Sequence, residues 1–558
     1  MTAAHGFASA SEPVVHFGLG EASNVGELTV TWPSGAIQSF ENLDGDKVYT
    51  IVEPPAGLPM NPKPEKRSLW FVRSQGFHPH KHTEPRYDDF ARQPLLPAKL
   101  SQLGPCLASG DIDGDGDPDL FVGGATGQPG QLYRNDGSGN FSDIPDWMPA
   151  ADAVHEDSGA AFFDADADGD QDLYIASGGV ECDPGGAVLR DRLYLNNGSG
   201  AFVRADATLP DLRDSGSCVA PADFDRDGDL DLFIGSRSIP GRYPETPNSA
   251  LLSNEAGIFR DVSPQDLRKT GLVTDAVWSD VDDDGWLDLF VAHEWGPIKL
   301  WKNIEGKLVD STGVAGLDPF TGWWNSIAAG DFDNDGDPDY AVGNVGLNTK
   351  YRASPEKPLL LYYGDCDGSG SKHIIETAFE GDTLYPVRGR SCSVHAMPGL
   401  ARRFGTFRDF AIADLAAVYP AQRLSQALRL EVKVLESGIL MNDGTGRFTF
   451  SPLPRMAQVS PACGIAVTDA NGDGNLDLYL VQNFFGPQLE TGRMDGGISL
   501  LLTGDGAGNF DPVWPDESGL IVPGDATDLE VADFDGNGAP DFIIGVNDDV
   551  PLLFLRNE

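Results

Sequence analysis

Short apolar stretches flanked by polar loops recur along most of the chain. Five of them directly follow an acidic loop, at residues 120–122, 173–175, 232–234, 289–291 and 542–544. Apolar runs of this length, bounded by turn-forming residues, predict buried β-strands. The pattern therefore indicates a protein built from many short strands.

A second repeated unit lies between the acidic loops, at residues 132–141, 193–202, 440–448 and 501–510. Each copy places Asn-Gly, Asp-Gly or a similar turn between apolar residues, which is typical of a β-hairpin. Each repeat is thus predicted to contain four strands, with the acidic loop between the first and the second. Four-stranded units repeated about seven times predict an all-β fold, a seven-bladed β-propeller, with eight blades as the alternative.

The acidic loops follow the pattern D-x-D-x-D-G-x-x-D. Seven copies are nearly intact and begin at Asp111, Asp164, Asp223, Asp280, Asp331, Asp469 and Asp533. Carboxylates at positions 1, 3, 5 and 9 can converge on one cation if the glycine at position 6 lets the chain curl. Position 7 varies, so it is predicted to contribute its backbone carbonyl. Hard oxygen ligands in a flexible loop favour Ca²⁺, and the sequence predicts about seven such sites.

The predicted Ca²⁺ ligands are the side chains at positions 1, 3, 5 and 9 of the seven loops. They are Asp111, Asp113, Asp115 and Asp119; Asp164, Asp166, Asp168 and Asp172; Asp223, Asp225, Asp227 and Asp231; Asp280, Asp282, Asp284 and Asp288; Asp331, Asp333, Asp335 and Asp339; Asp469, Asn471, Asp473 and Asp477; and Asp533, Asp535, Asn537 and Asp541.

Two other interpretations of the loops are weaker. Plain acidic turns would leave four carboxylates repelling one another within nine residues. An EF-hand needs a helix after the loop, whereas these loops continue into predicted strands. A degenerate eighth copy at Asp365, with Ser369 and His373 at positions 5 and 9, is expected to be weak or empty.

The ends of the repeat region suggest that the propeller closes on itself. The last repeat stops after a third strand, and residues 87–90 resemble the fourth strand of another repeat, so they could complete it. Residues 380–437 interrupt the pattern. Leu400, Phe404, Phe407 and Phe410 recur there at helical spacing, which predicts an inserted helix.

The amino-terminal region differs from the repeats. Residues 27–35 and 47–52 are predicted to contain strands, and residues 54–66 are rich in proline. The predicted domains are a β module at 1–53, a linker at 54–84, and a propeller at 85–558 that contains the insertion at 380–437.

The net charge of −47 makes nucleic acid and anionic membranes poor partners. The sequence contains no transmembrane run and no signal peptide. Its six cysteines are scattered, which favours structural thiols.

The repeats resemble the FG-GAP/VCBS family of Ca²⁺-binding propellers, which is related to the integrin α-subunit head. Residues 16–53, with His16-Phe-Gly-Leu-Gly20, Trp32-Pro-Ser-Gly35 and Glu53, resemble the ASPIC/UnbV module of acidic secreted cartilage proteins. The resemblance implies an exported protein, secreted, periplasmic or on the cell surface. Since that module usually has more chain before His16, we expect that a signal peptide was lost with a truncated amino terminus.

The loops opposite the Ca²⁺ loops are the predicted ligand surface, because exposed aromatic rings with amides and a carboxylate suit a sugar-like or peptide ligand. The candidates are His293, Glu294, Trp295, Trp323, Trp324, Asn325, Asn344, Asn348 and Asn483. The alternative is that the tryptophans fill the core between blades.

Two further groups stand out. His78, His80 and His82, with Glu84, could bind a transition metal, but a solvated, partly ordered segment is the favoured interpretation. Arg388, Arg390, Arg402, Arg403 and Arg408 form a basic region that could dock on the acidic propeller or receive an anionic partner.

No common catalytic motif is present. The favoured function is a binding or adhesion scaffold for a glycan or extracellular protein. The alternative is a carbohydrate-active enzyme, a lyase or hydrolase that uses Glu294 or His293.

Overall fold

The computed structural model describes residues 15, 17–20, 22–32, 36–53 and 68–557, and the chain divides into two compact units, Met1–Ser68 and Leu69–Glu558. His16, the turn at 33–35 and the proline-rich segment 54–66 lie outside the described residues. In the first unit, strands β1 (Asn24–Thr31) and β2 (Ile37–Asp44) form an antiparallel pair in which Leu28 faces Phe40. The strand predicted at 47–52 is wrong, because those residues have no regular structure.

In the second unit, seven four-stranded antiparallel sheets share one plan, and we call them the first to seventh ring sheets. β3 (Phe71–Arg73) precedes them along the chain. The first ring sheet contains β4 (Leu107–Gly110), β5 (Asp119–Val122), β6 (Gln131–Asn135) and β7 (Phe141–Asp143). The second contains β8 (Asp157–Phe163), β9 (Asp172–Ser177), β10 (Arg192–Leu195) and β11 (Val203–Arg204).

The next two ring sheets follow the same order. The third contains β12 (Ser215–Ala222), β13 (Asp231–Ser238), β14 (Ala250–Glu255) and β15 (Ile258–Asp261). The fourth contains β16 (Leu272–Ser279), β17 (Asp288–Pro297), β18 (Lys299–Asn303) and β19 (Leu308–Asp310), with β20 (Thr321–Trp323) paired to the end of β17.

The fifth ring sheet is interrupted after its second strand. It begins with β21 (Ser326–Gly330) and β22 (Asp339–Gly343). A separate sheet then follows, made of β23 (Leu359–Gly364), β24 (His373–Glu380), β25 (Thr383–Pro386) and β26 (Leu428–Val432). The fifth ring sheet resumes with β27 (Gly438–Asn442) and β28 (Phe448–Pro452).

The inserted chain, 344–437, is therefore longer than the predicted insertion of 380–437, because the extra sheet belongs to it as well. The Asp365 loop joins β23 to β24 of that extra sheet and is not a turn of the fifth ring sheet. The predicted helical insertion is confirmed, but it consists of five short helices instead of one, and Phe407 is 65% exposed.

The sixth ring sheet contains β29 (Ala462–Thr468), β30 (Asp477–Gln482), β31 (Leu500–Gly504) and β32 (Phe510–Val513). The seventh contains β33 (Ala526–Ala532), β34 (Asp541–Val546) and β35 (Leu552–Arg556), and β3 supplies its fourth strand. The expectation that chain before the first repeat completes the last sheet is thus confirmed, but the strand is β3. Residues 87–90 do not form it, since a helix begins at Asp89.

The helices are short and lie in the connections. They are α1 (Asp89–Arg92), α2 (Gln265–Arg268), α3 (Arg390–Ala396), α4 (Leu400–Arg403), α5 (Phe407–Ala411), α6 (Leu415–Val418), α7 (Ala421–Leu424) and α8 (Pro515–Ser518), with 3₁₀ turns at Ala150–Val154, Ala187–Leu189, Asp206–Thr208 and Arg455–Gln458. Within the described residues, none is long and apolar enough to cross a membrane.

The ring sheets pack face to face through apolar side chains. The first strands of the seven sheets are neighbours in the order β4, β8, β12, β16, β21, β29 and β33, and β33 is again next to β4. Aromatic rings fill the space between second strands: Phe290 stacks on Tyr340 with ring centroids 3.9 Å apart, and Tyr479 lies 4.7 Å from Phe542. Each sheet therefore buries both faces against its neighbours, which explains why its second strand carries consecutive apolar residues after the initial Asp.

Candidate metal centres and the central cavity

The seven acidic loops lie between the first and second strands of the seven ring sheets and share one set of hydrogen bonds. In every loop the position 6 N–H donates to the position 1 carboxylate at 2.7–3.3 Å. The position 7 N–H donates to the position 5 side chain at 2.8–3.1 Å. These bonds curl the loop so that its acidic side chains face inward.

The curl requires left-handed backbone at position 6, where φ lies between +82° and +99° in all seven loops. Glycine reaches this region without strain, as the motif predicts. Position 4 also has a positive φ, from +55° to +78°, although it is glycine in only three loops.

Carboxylate oxygens converge in at least five of the loops. Ligand atoms of three aspartates lie within 4.8 Å of one another in each of the first five, and these sets are Asp111, Asp113, Asp115; Asp164, Asp166, Asp172; Asp223, Asp225, Asp231; Asp280, Asp282, Asp288; and Asp331, Asp333, Asp339.

The position 3 carboxylate is the part of each set that fits a cation best. One oxygen of this side chain is buried and has no hydrogen-bond partner in Asp113, Asp166, Asp225, Asp282 and Asp333. Buried polar atoms nearly always have a partner, so these orphaned oxygens leave room for a bound ion. The donor set is oxygen only, which fits Ca²⁺.

The position 9 aspartates have an additional role that the sequence did not reveal. Both of their oxygens accept backbone hydrogen bonds: Oδ2 from the position 2 N–H at 2.9–3.2 Å, and Oδ1 from the third strand of the same sheet at 2.6–2.9 Å. These side chains therefore join the loop to the sheet. In the first loop Asp119 is not part of the converging set.

Asparagines at or just after the end of five third strands connect five of the loops to the neighbouring sheet. Their side-chain amides donate to the position 2 carbonyl of the preceding loop at 2.7–3.0 Å, and they are Asn135, Asn196, Asn254, Asn303 and Asn442. The Asn in the repeated hairpin units was the signal that could have predicted this link. A cation that ordered one of these loops would thereby support the neighbouring sheet as well.

Basic side chains contact three of the loops. Arg134 Nε lies 2.9 Å from Asp113 Oδ2, and the Lys302 ammonium contacts Asp282. In the degenerate loop, Arg423 lies 3.0 Å from Asp365 Oδ2.

A cavity of about 340 Å³ is lined by the first strands of six ring sheets and by Asn325, which lies just before the first strand of the fifth. Since all seven sheets border it, the cavity lies on the axis of the ring. Its lining carries Asp275, Asp528 and Glu530. Burial raises the pKa of Asp275 and of Glu530 to about 7, and that of Asp528 to about 6. Arg237, Trp323 and Asn325 also line this cavity.

The three tryptophans predicted to be a ligand platform are buried. Trp295 is 3% exposed, Trp323 is 5% exposed and Trp324 is fully buried. Trp323 packs between Trp295 and Tyr351, with ring centroids 5.3 and 5.7 Å away. They are core residues, as in the alternative that the tryptophans fill the core between blades. Of the three, only Trp323 reaches the cavity.

His293 and Glu294 are also enclosed. The ring nitrogens of His293 lie 2.9 Å from the Pro297 carbonyl and 3.1 Å from the Thr270 hydroxyl. Glu294 accepts a 2.8 Å hydrogen bond from the Tyr243 hydroxyl and a 3.2 Å one from Arg237. These bonds occupy the groups that a catalytic acid or base would need free.

The predicted asparagines divide into two groups. Asn344 and Asn483 are fully buried and hydrogen-bond to backbone atoms. Asn325 is half-buried and lines the cavity, whereas Asn348 is exposed and lies outside it. Of the nine predicted ligand residues, Trp323 and Asn325 are the two that the structure brings to the cavity.

The basic region folds mainly onto itself. Arg388 is buried, 4.0 Å from Glu376, and donates to the Leu96 carbonyl, while Arg390 and Arg403 donate to carbonyls within the insertion. Arg402 and Arg408 are exposed, and all six cysteines are free thiols.

Comparisons with known proteins locate two kinds of module. Residues 1–57 match the ASPIC and UnbV family, and residues 111–175, 180–234 and 280–342 match the FG-GAP-like repeat. Cartilage acidic protein 1 is 27% identical over 216 residues in Mus musculus, covering 37% of this chain and 30% of that protein. The protein of the same name from Xenopus tropicalis is 26% identical over 208 residues, covering 36% of this chain and 31% of that protein. The chain thus matches less than a third of the length of these curated relatives.

Three solved structures are distantly similar. The V. cholerae biofilm matrix protein Bap1 has a TM-score of 0.34 at 12% identity, covering 86% of this chain and 91% of that one. YCF48 bound to a D1 peptide has 0.37 at 8% identity, covering 83% and 95%, and Saccharomyces cerevisiae Sqt1 has 0.37 at 11% identity, covering 86% and 100%. Likenesses this distant carry no argument about function. The family matches show that this chain combines an ASPIC and UnbV module with FG-GAP-like repeats.

Proposed function

We propose that this chain is an exported, Ca²⁺-stabilised β-propeller of seven blades that binds a glycan or an extracellular protein and has no catalytic role. The observation that carries the proposal is the acidic loop, which is repeated seven times. In five copies carboxylates converge and a buried position 3 oxygen lacks a partner. In this proposal the seven ring sheets are the blades, the propeller begins near residue 69, and residues 1–53 are a separate β module.

Calcium is the proposed cation because the loops offer only oxygen atoms. The side chains at positions 1, 3, 5 and 9 would bind it together with the position 7 carbonyl. Positions 1 and 3 belong to all five converging sets, position 9 to four of them and position 5 to one. The Asp365 loop is proposed to stay empty, since the Arg423 guanidinium already neutralises its first carboxylate.

The proposed ligand site is the axial cavity. Its volume of about 340 Å³ is at the lower end of the range typical of small-molecule pockets. Carboxyl groups, the Asn325 amide and the edge of Trp323 give it the hydrogen-bonding groups and apolar surface that suit a sugar unit or a short peptide segment. The enclosed positions of His293 and Glu294 argue against the alternative carbohydrate-active enzyme.

A glycan array probed with Ca²⁺-loaded protein tests this function when it is scored both for retention and for product release. We expect retention without release, and weaker retention for Asn325→Ala. Asn348→Ala is the matched control, because it removes an exposed amide outside the cavity. Product release would favour the enzyme, and equal retention by both variants would contradict the cavity as the binding site.

A further inference from the structure

Two side chains that precede the first ring sheet along the chain are buried without hydrogen-bond partners. The side chains of His82 and Glu84 are 1% and 3% exposed. Neither ring nitrogen of His82 and neither carboxylate oxygen of Glu84 has a hydrogen-bond partner. His82 Nε2 lies 3.9 Å from Glu84 Oε1, which is too far for a hydrogen bond. Four orphaned polar atoms on two buried side chains call for a bound group that satisfies them.

Two more carboxylates face the same region. Glu156, just before β8, is 6% exposed, and its Oε2 accepts hydrogen bonds from the N–H and the hydroxyl of Thr126 at 2.6 and 2.9 Å. Glu181 uses Oε2 to accept the Val180 N–H at 2.7 Å, which leaves its buried Oε1 without a partner.

The four side chains belong to one cluster. A Cβ placed on Gly104 would lie 3.2 Å from His82 Nε2 and 3.8 Å from Glu84 Oε1, and one on Gly179 would lie within 3.4 Å of both Glu181 and Glu156. The two halves adjoin the same axial cavity, because Gly104, Glu156 and Gly179 all line it. Burial is the largest cause of the raised pKa of Glu84, and the charge of Glu181 is the second largest. The pKa of Glu156 is also raised, first by burial and then by the charge of Glu84.

The cluster has no counter-charge of its own. Among the described residues, no lysine or arginine forms an ion pair with these three glutamates. Burying several carboxylates without a cation is costly, and such groups are usually paired or bound to metal. The surroundings therefore supply acidic ligands and an imidazole, while Lys99 acts on Glu84 only at a distance, without an ion pair.

We infer that His82, Glu84, Glu156 and Glu181 bind one divalent transition-metal ion of the zinc type. Imidazole nitrogen with carboxylate oxygen is a donor set that suits Zn²⁺ and its neighbours, whereas Ca²⁺ takes oxygen ligands. His78 and His80, which the alternating pattern grouped with His82, are exposed and are not part of this site.

The proposed ion would fasten the segment before the first ring sheet to the second. Its ligands come from that segment, from the start of β8 and from the connection between β9 and β10. Glu156 also borders the axial cavity, which offers the ion a path to the site. The site is distinct from the acidic loops and does not depend on their occupancy.

The test uses full-length protein that is stripped with chelator, saturated with Ca²⁺ to fill the loops, and then given Zn²⁺. After gel filtration, metal analysis should find about one Zn²⁺ per chain that excess Ca²⁺ does not displace. His82→Gln and Glu84→Gln should each lower the Zn²⁺ affinity at least tenfold. His80→Gln is the matched control, since it changes an exposed histidine two residues away, and it should retain the ion.

Co²⁺ gives a second measurement, and its main result comes from the wild-type protein. A chain with an imidazole-bound Co²⁺ should show visible absorption that Zn²⁺ abolishes, and Glu181→Gln, at a less buried position, should alter that spectrum. Three results would overturn the proposal: no retained Zn²⁺ and no Co²⁺ spectrum in the wild-type protein, displacement of Zn²⁺ by Ca²⁺, or unchanged retention in folded His82→Gln.

Discussion

Asp528 Oδ2 accepts a 2.8 Å hydrogen bond from the backbone N–H of Leu107, a residue 421 positions earlier in the chain. The bond joins the first strand of the seventh ring sheet to that of the first, where the ring closes. Asp275 makes the equivalent bond to the Ile327 N–H, at 2.9 Å, between the fourth and fifth sheets. Both aspartates sit at a β-bulge and also accept the N–H of the next residue.

We predict that Asp528→Ala destabilises the closed ring. The change leaves the N–H groups of Leu107 and Leu529 without their acceptor, and an unsatisfied buried donor costs about 1–3 kcal/mol. The free energy of unfolding, measured by denaturant titration in saturating Ca²⁺, should fall by about 2–4 kcal/mol. Asp511→Ala, at an exposed position of β32, is the control and should change it by less than about 0.5 kcal/mol.

Trp324→Ala should cost about 3–5 kcal/mol, because the side chain is fully buried and its loss leaves a large cavity. Its ring packs against Phe450, with centroids 6.0 Å apart. Trp514→Ala is the matched control, since that tryptophan is 57% exposed. Thermal denaturation of the two variants tests whether Trp324 is a core residue. Similar melting temperatures would contradict its core position.

These tryptophans illustrate what the sequence could not provide. Their position in loops predicted exposure, but Tyr351, which covers Trp323, comes from the inserted chain. Local patterns carry no information about which distant segment folds over a loop. The strand β3 could not be predicted either, because its three residues, Phe71–Arg73, are too few to show any periodicity.

The repeated features were predictable because each has a local physical cause. The left-handed turn at position 6 needs glycine, and converging carboxylates need the spacing of the motif. A second strand that is buried on both faces needs consecutive apolar residues, as in Leu120–Val122 within β5. The asparagines that link the sheets, such as Asn135 and Asn196, are also part of the repeat. Their acceptors lie in the repeat that is adjacent around the ring, so only the fold shows them.

The stability of the ring should depend on pH through Glu530. Burial raises its pKa to about 7, and the charge of Asp528 adds to this shift, whereas a glutamate in an unfolded chain titrates near about 4.3. Between these values the folded state keeps the proton and the unfolded state loses it. The unfolded state therefore binds fewer protons, and the free energy of unfolding falls as the pH rises through this window.

Glu530→Gln removes this titration and can still accept the 2.7 Å hydrogen bond from the Ser109 hydroxyl. Relative to the wild-type protein, it should gain about 2 kcal/mol between pH 5 and pH 8, measured by denaturant titration in saturating Ca²⁺. Glu380→Gln, at an exposed site, should show no such gain. An equal difference between variant and wild type at both pH values would contradict a buried, protonated Glu530.

Removing Ca²⁺ should lower the melting temperature of the whole ring, because binding to the folded loops adds to the free energy of unfolding. Mg²⁺ should restore it poorly, since that ion demands a tighter octahedral geometry. An unchanged melting curve after confirmed metal removal would contradict a structural role for the ions.

A single loop gives the sharpest form of this prediction. Asp166 occupies position 3 of the second loop and has a buried oxygen without a partner, whereas Asp170 occupies position 7, where the backbone carbonyl is the proposed ligand. Asp166→Asn should remove one Ca²⁺ per chain in isothermal titration and lower the melting temperature. Asp170→Asn, with the same change of charge in the same loop, should keep the full number of ions. Because Asn254 ties this loop to the third ring sheet, loss of its ion should also speed hydrogen exchange at the end of β14. Equal ion counts in the two variants would show that the position 3 carboxylate is not a ligand.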